Sequence, residues 1–245
     1  MDVGAPQGPR TLAIDIGGTR LKAGTLDPSG VMIAGPERVD TPHPAWPDKV
    51  VPLLLDLAGK LGEFDRISIG FPGVVRDGAV LTAPNLGTEQ WHGFPLAQNL
   101  SEQLGRPARL LNDASVQALG VITGHGIECV ITLGTGMGFA LFRNGVLGPQ
   151  LELGQHPARK DKTYDQYIGN AALQKVGPRR WNKRLDRVIR QISVLTTYQV
   201  LYIGGGNAKA IDQVLPEGVK IVSNKAGITG GVKLWDPRLQ EVFPA

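Results

Sequence analysis

Leu12-Ala13-Ile14-Asp15-Ile16-Gly17-Gly18-Thr19-Arg20-Leu21-Lys22-Ala23-Gly24 is the stretch on which the fold turns. A short apolar run ends on an acid, turns over two adjacent glycines and resumes with Leu21 and Ala23, the pattern of strand, tight turn and strand. Paired glycines permit positive φ and leave the backbone bare. Bare amides in a turn form a concavity that suits an anion such as phosphate. Thr19 and Lys22 add a hydroxyl and a cation at the same place. Asp15 ends the strand at the turn, where it is the candidate ligand for Mg²⁺, directly or through water, beside that phosphate. The same residues also fit an ordinary hairpin carrying a surface acid.

Further along, Ile131-Thr132-Leu133-Gly134-Thr135-Gly136 repeats the pattern of Ile14 to Thr19. In each, an apolar strand enters a Gly/Thr turn, a second strand leaves, and the next turn ends in glycine, at Gly30 and at Gly145. Two such units, each followed by helices and further strands, predict two lobes of one design, each bringing a phosphate-type turn to a shared cleft. The expected division places residues 1–113 in the first lobe and 114–245 in the second. Two further Gly-rich turns follow apolar strands, at Gly70 to Gly73 and at Gly204, Gly205 and Gly206. In α/β sheets ligands gather beyond the carboxyl ends of strands, so four such loops favour a nucleotide or polyphosphate. Gly134-Thr135-Gly136-Met137-Gly138 lacks the dinucleotide spacing, and no Gly-Lys-Ser/Thr of a P-loop is present.

Between these landmarks the periodicity predicts strands over 11–16, 21–27, 31–39, 67–70, 108–111, 128–133, 139–142, 201–203 and 219–222. Helices are expected over 50–61, from Pro95 to about Leu104, over 114–122, 164–176 and 178–196, then from Asn207, with a last one opening at Gly230-Gly231. Asn144-Gly145 is a hairpin signal. Residues 1–10 are expected to be loose and carry no signal peptide.

The chain has 245 residues, with 42% hydrophobic and 20% charged, enough for a sizeable core. A net charge of +4 favours an anionic ligand but is too small to indicate nucleic acid without a matching motif. The single cysteine, Cys129, excludes an internal disulfide and a cysteine-based metal cluster. No apolar run reaches the roughly 20 residues that span a bilayer, so a cytoplasmic protein is expected.

Asn112-Asp113 stands at a strand end and a helix start. Asp is a good N-cap. It is also the residue type that accepts a hydroxyl proton during phosphoryl transfer. Glu152 and His156 lie in a polar loop fit to hydrogen-bond a polyol or simply to face solvent. The run from Lys175 to Arg190 carries seven cations, either a solvated basic face or a path for a long phosphate chain.

These motifs together resemble the ROK sugar kinases, of the α/β, two-lobed, actin-like ATPase (ribonuclease H-like) fold with a cleft between lobes. Asp15-Ile16-Gly17-Gly18-Thr19 with Lys22 resembles the first phosphate motif. Gly70-Phe71-Pro72-Gly73, Ala83-Pro84-Asn85-Leu86, Asn112-Asp113-Ala114, the 133–138 turn and Glu152-Leu153-Gly154 follow in the family's order, and Gly204-Gly205-Gly206 falls at its adenosine-side loop. The resemblance implies Asp113 as catalytic base toward the primary hydroxyl of a hexose, glucose first. It implies Gly73, Asn85, Asn112, Glu152, Gln155 and Asp165 on the sugar side. Gly17, Gly18, Thr19, Lys22, Gly134, Thr135 and Gly136 would hold phosphates of ATP or inorganic polyphosphate with Mg²⁺. The stretches Gly169-Asn170-Ala171-Ala172-Leu173 and Trp181-Asn182-Lys183-Arg184 are most similar to polyphosphate-glucokinase-type members, which implies a homodimer that binds neither nucleic acid nor membrane. Two sugar-side positions depart from the family. Gln155 stands where the family has His, and Asp165 where it has Glu. The family's cysteine-rich zinc loop is absent, so no zinc is expected. A non-catalytic sugar or nucleotide sensor, or an actin-like filament protein, are the competing readings.

Overall fold

The computed structural model describes residues 8–222 and 229–243. The chain divides into one unit made of Met1–Gly120 with Lys225–Ala245, and a second of Val121–Asn224.

In the first unit β1 (Thr11–Ile16) and β2 (Arg20–Leu26) form the expected hairpin, and β3 (Met32–Asp40) extends it. Helix α1 (Pro47–Gly59) follows. It starts three residues before the apolar periodicity indicates, because Pro47 fits an opening helical turn. Next come β4 (Arg66–Phe71), a short ribbon of β5 (Val75–Arg76) and β6 (Ala79–Val80), α2 (Thr88–Trp91) and α3 (Leu96–Leu104). Strand β7 (Ala108–Asn112) runs directly into α4 (Asp113–Leu119). The sheet order is β3-β2-β1-β4-β7. β1 pairs antiparallel with β2 and parallel with β4, and β4 parallel with β7. Leu54, Leu57, Ile67, Ile69, Phe71 and Trp91 are central to the core that α1 and α3 close.

The second unit repeats this plan. β8 (Ile127–Leu133), β9 (Met137–Arg143) and β10 (Val146–Leu147) form two antiparallel turns of ribbon. Asn144 and Gly145 both take positive φ in the second turn, as its sequence requires. After a 3₁₀ turn at Leu153–Gln155 come β11 (Pro157–Arg159) and β12 (Lys162–Thr163), then α5 (Tyr164–Ile168) and the long α6 (Asn170–Thr196). Strands β13 (Val200–Gly204) and β14 (Val219–Ile221) complete the order β10-β9-β8-β13-β14, with β13 parallel to β8 and to β14. Trp181, Leu185, Val188 and Ile192, spaced at helical intervals, bury one face of α6. Cys129 is buried in this core, and burial raises its thiol pKa.

The helix break expected between residues 176 and 178 is present, since Gly177 takes φ +74° and ψ 162° ahead of Pro178 and divides α6 into two helical stretches. A further break at Gly169, which the periodicity does not indicate, separates α5 from it. Two expectations are corrected. The segments at Gly206–Ala210 and Gly230–Trp235 are 3₁₀ turns rather than α-helices. The division between units also differs: α4 stays with the first unit, and the segment from Thr229 to Phe243 returns to it. The return is held by bonds that sequence order does not reveal. Ser68 Oγ donates to the Gly231 carbonyl at 2.7 Å and accepts from Trp235 Nε1 at 2.9 Å. Arg109 donates to the Leu234 carbonyl at 2.7 Å and stacks on Trp235 at 4.5 Å and on Phe243 at 4.6 Å. Residues 1–7, expected to be loose, lie outside the described residues. Among the described residues no helix is long and apolar enough to cross a membrane.

Candidate active site

In the first unit the strand registers bring the site residues to one edge of the sheet. Asp15 pairs with Gly70, Gly70 with Leu111, and Phe71 with Asn112. The carboxyl ends of β1, β4 and β7 therefore lie side by side, carrying Asp15, the 70–73 turn and Asn112-Asp113. Lys22 Nζ lies 2.9 Å from Asp15 Oδ2, and only 14% of the Asp15 side chain is accessible. The turn after β1 is pinned from the end of β3: Thr41 Oγ1 donates to the Gly17 carbonyl at 2.6 Å and Thr41 N to the Thr19 carbonyl at 3.0 Å.

Asn112, not Asp113, caps α4. Its Oδ1 accepts from Ala114 N at 3.0 Å and Ser115 N at 3.2 Å, while Nδ2 donates to the Gly73 carbonyl at 3.1 Å. This buried amide fixes the first turn of α4 and the 70–73 loop together. It thereby sets the position of Asp113, the first residue of the helix, which is half-buried. A Cβ on Gly70 would stand 3.5 Å from the Asp113 Cα, so β4 passes directly beneath that residue. Gly73 leaves no room for a side chain, since a Cβ would strike the Thr82 carbonyl. Asn85 is exposed, and a Cβ on Gly18 would sit 3.6 Å from its Cβ.

In the second unit the turn of Gly134, Thr135 and Gly136 is tight, with Gly134 N donating to the Gly136 carbonyl at 3.0 Å. Its outer side is packed by residues that the sequence did not single out for this role. The Gly134 carbonyl accepts from Asn170 N at 2.8 Å and from Asn207 Nδ2 at 3.0 Å. Gly205, at φ +90°, presses against Leu133, where a Cβ would overlap the backbone. These supports come from the α5–α6 junction and the end of β13, some thirty to seventy residues downstream, which no local pattern can report. The glycines of both phosphate-type turns, Gly17, Gly18, Gly134 and Gly136, do not use the positive φ expected of them. Gly17 and Gly136 are small for lack of space. A Cβ on Gly17 would lie 2.9 Å from the Arg20 carbonyl, and one on Gly136 would run into Asp165. Gly204 and Gly206 flank Gly205 at the end of β13.

Glu152 precedes the Leu153–Gln155 turn and is half-buried. Burial raises its pKa, and the Asp165 charge adds to the shift. Asp165, in the first turn of α5, accepts from Met137 N at 2.7 Å and from Gln155 Nε2 at 2.6 Å. Burial raises its pKa against the pull of those two bonds. Along α6, Arg190 pairs with Asp186 at 2.8 Å, and Arg184 donates to the Tyr167 carbonyl at 2.9 Å while stacking on that ring.

The chain is 30% identical over 219 residues to a polyphosphate glucokinase of Mycobacterium leprae, covering 84% of this chain and 66% of that protein. It is 28% identical to a polyphosphate glucokinase of Mycobacterium tuberculosis, covering 83% of this chain and 80% of that protein. Among solved structures it resembles the inorganic polyphosphate/ATP-glucomannokinase of Arthrobacter sp. strain KM, with a TM-score of 0.81 and 28% identity over 92% of this chain and 98% of that one. The α/β fold is thus that of the actin-like ATPase sugar kinases. The ROK family model matches residues 11–155. The chain belongs to the ROK family.

Proposed function

We propose that the protein is a sugar kinase that transfers a phosphoryl group from ATP or inorganic polyphosphate to the primary hydroxyl of a hexose, with glucose as the foremost acceptor. The carrying observation is the placement of Asp113 by Asn112 at the carboxyl edge of the sheet that also bears Asp15. A carboxylate held there suits a general base that takes the hydroxyl proton as the acceptor oxygen attacks. The names of the relatives support the same donors and acceptor class. On this reading Gly73, Asn85, Asn112, Glu152 and Gln155 serve the sugar. The 17–19 and 134–136 turns offer backbone amides to phosphates, Lys22 adds a cation, and Gly204, Gly205 and Gly206 form the nucleotide-side loop.

Asp15 fits Mg²⁺ in the way that ion is usually held, by one or two carboxylates with the remaining ligands from phosphate and water. When bound, the ion would neutralise charge on the phosphates. The protein's own contribution is positioning and fixed dipoles.

The test crosses a panel of hexoses, amino sugars and polyols with ATP and polyphosphate, and measures sugar phosphate in wild type and Asp113→Asn. The variant should lose roughly 10²–10⁴-fold in kcat and retain sugar binding. Near-wild-type turnover would remove Asp113 from the mechanism. Sugar binding by calorimetry, with no phosphorylation from either donor, would identify a sensor on a kinase fold.

A further inference from the structure

Asp165 occupies the point where three pieces of the second unit meet. It is carried by α5, whose start is fixed by a capping box between Thr163 and Gln166. Its Oδ1 accepts from Met137 N at 2.7 Å, at the exit of the 134–136 turn. Its Oδ2 accepts from Gln155 Nε2 at 2.6 Å, on the turn that follows Glu152. Gly136 and Gly154 both close around the same carboxylate, and a Cβ on either would collide with Oδ1. The backbone after α5 grips the same turn again, through Asn170 N to the Gly134 carbonyl at 2.8 Å.

We propose that Asp165 is a positioning residue that ties the phosphate-side turn to the sugar-side turn and orients Gln155, rather than a ligand of the sugar itself. The proposal rests on the kinase reading for what each turn binds. With Nε2 committed to Asp165, Gln155 presents its amide oxygen, a neutral acceptor for a sugar hydroxyl. The carboxylate makes charge-assisted bonds to donors on both turns, so a shift of either is transmitted to the other. The length of aspartate matters here: with Oδ1 set between Gly136 and Gly154 and bonded to Met137 N, a longer side chain carries the carboxylate away from that amide.

The experiment uses the full chain as wild type, D165N, D165E and Q155A. Melting temperature, hydrogen exchange at the Met137 amide, and separate KM values for glucose and for each donor are measured. In D165N the uncharged oxygen weakens the Met137 bond, and the new Nδ2 forces the Gln155 amide to flip, so that it presents Nε2 in place of its oxygen. Met137 exchange should then quicken, and the sugar and donor KM should both rise, roughly 10–100-fold, as for loss of one hydrogen bond to a charged group. D165E should show the same defects. It keeps the charge and carries the test if D165N does not fold. Q155A keeps the Met137 bond and cuts the link to the sugar-side turn, so it should raise the sugar KM more than the donor KM and leave Met137 exchange unchanged. Unchanged Met137 exchange in D165N, with only the sugar KM raised and recovery in D165E, would make Asp165 a direct sugar ligand and overturn the proposal. Failure of the wild-type chain to phosphorylate any hexose would instead sink the kinase reading, while Met137 exchange still decides the tether.

Discussion

The two units build the same hairpin and anchor it differently. In the first, Ile16 pairs with Leu21, with the four residues Gly17 to Arg20 between them. In the second, Leu133 pairs with Met137, leaving only Gly134 to Gly136. The first unit grows its carboxylate from the strand itself, as Asp15, and balances it with Lys22 from the partner strand. At the matching place the second has Thr132, and its carboxylate arrives from a later helix, as Asp165. One acid is presented by the hairpin; the other is spent in holding the hairpin still. On the proposed reading, equivalent backbone turns divide their chemistry, one binding through a charged side chain, the other through amides kept in place.

This contrast is broken most severely at Asp15. Asp15→Ala leaves Lys22 uncompensated and removes the candidate metal ligand. Steady-state assays should show kcat falling roughly 10²–10³-fold, the scale of a lost electrostatic group, with little change in melting temperature. A smaller loss would mean that the two acids are not specialised as described.

Next in size is a buried pair at the opposite ends of the same strands. Thr11 on β1 and Glu128 on β8 occupy equivalent, fully buried positions. Thr11 accepts one bond, from Arg66 at 2.8 Å. Glu128 accepts from Thr123 N at 2.8 Å, Gly124 N at 2.7 Å and Tyr202 OH at 3.0 Å, among others. Burial pushes the Glu128 carboxyl up, but these bonds outweigh it and its pKa is lowered. Its stabilisation is thus present above the ordinary carboxylate pKa and is lost as pH falls through the depressed value. Glu128→Gln should cost about 1.5–3 kcal/mol at neutral pH by denaturant unfolding, with the difference shrinking in acid. Thr11→Val should cost less.

The smallest effect separates Glu152 from Glu128. Glu152 has a raised pKa, so the folded protein binds its proton more tightly than the unfolded chain does. Stability from this group therefore falls as pH rises from the ordinary to the raised value. Glu152→Gln should raise the melting temperature by a few degrees at neutral pH, with no gain in acid, while lowering sugar affinity. A lower melting temperature at neutral pH would place Glu152 among the structural carboxylates.

Much of this was legible in the chain. The echo between Ile14 and Ile131 showed two hairpins of one design, and both sheets carry it. Cys129 read as a buried thiol and is one. Asn112-Asp113 was legible as a strand end meeting a helix, but which of the two caps the helix was not, because both residue types cap well. The supports of the 134–136 turn were invisible. Asn170 and Asn207 are ordinary polar residues in sequence, and their meaning lies in a shared carbonyl.

Local pattern determined the elements, their order and the chemical kind of each turn, since strand alternation, helical spacing and glycine placement are properties of neighbours. Tertiary structure decided the rest. It returned the segment after Thr229 to the first sheet through Ser68 and Arg109. It turned Asp165 toward Met137 and Gln155. It made Gly136 a matter of space where backbone freedom had been expected. Each of these depends on groups brought together from distant parts of the chain, and only packing settles which donor a buried carboxylate meets.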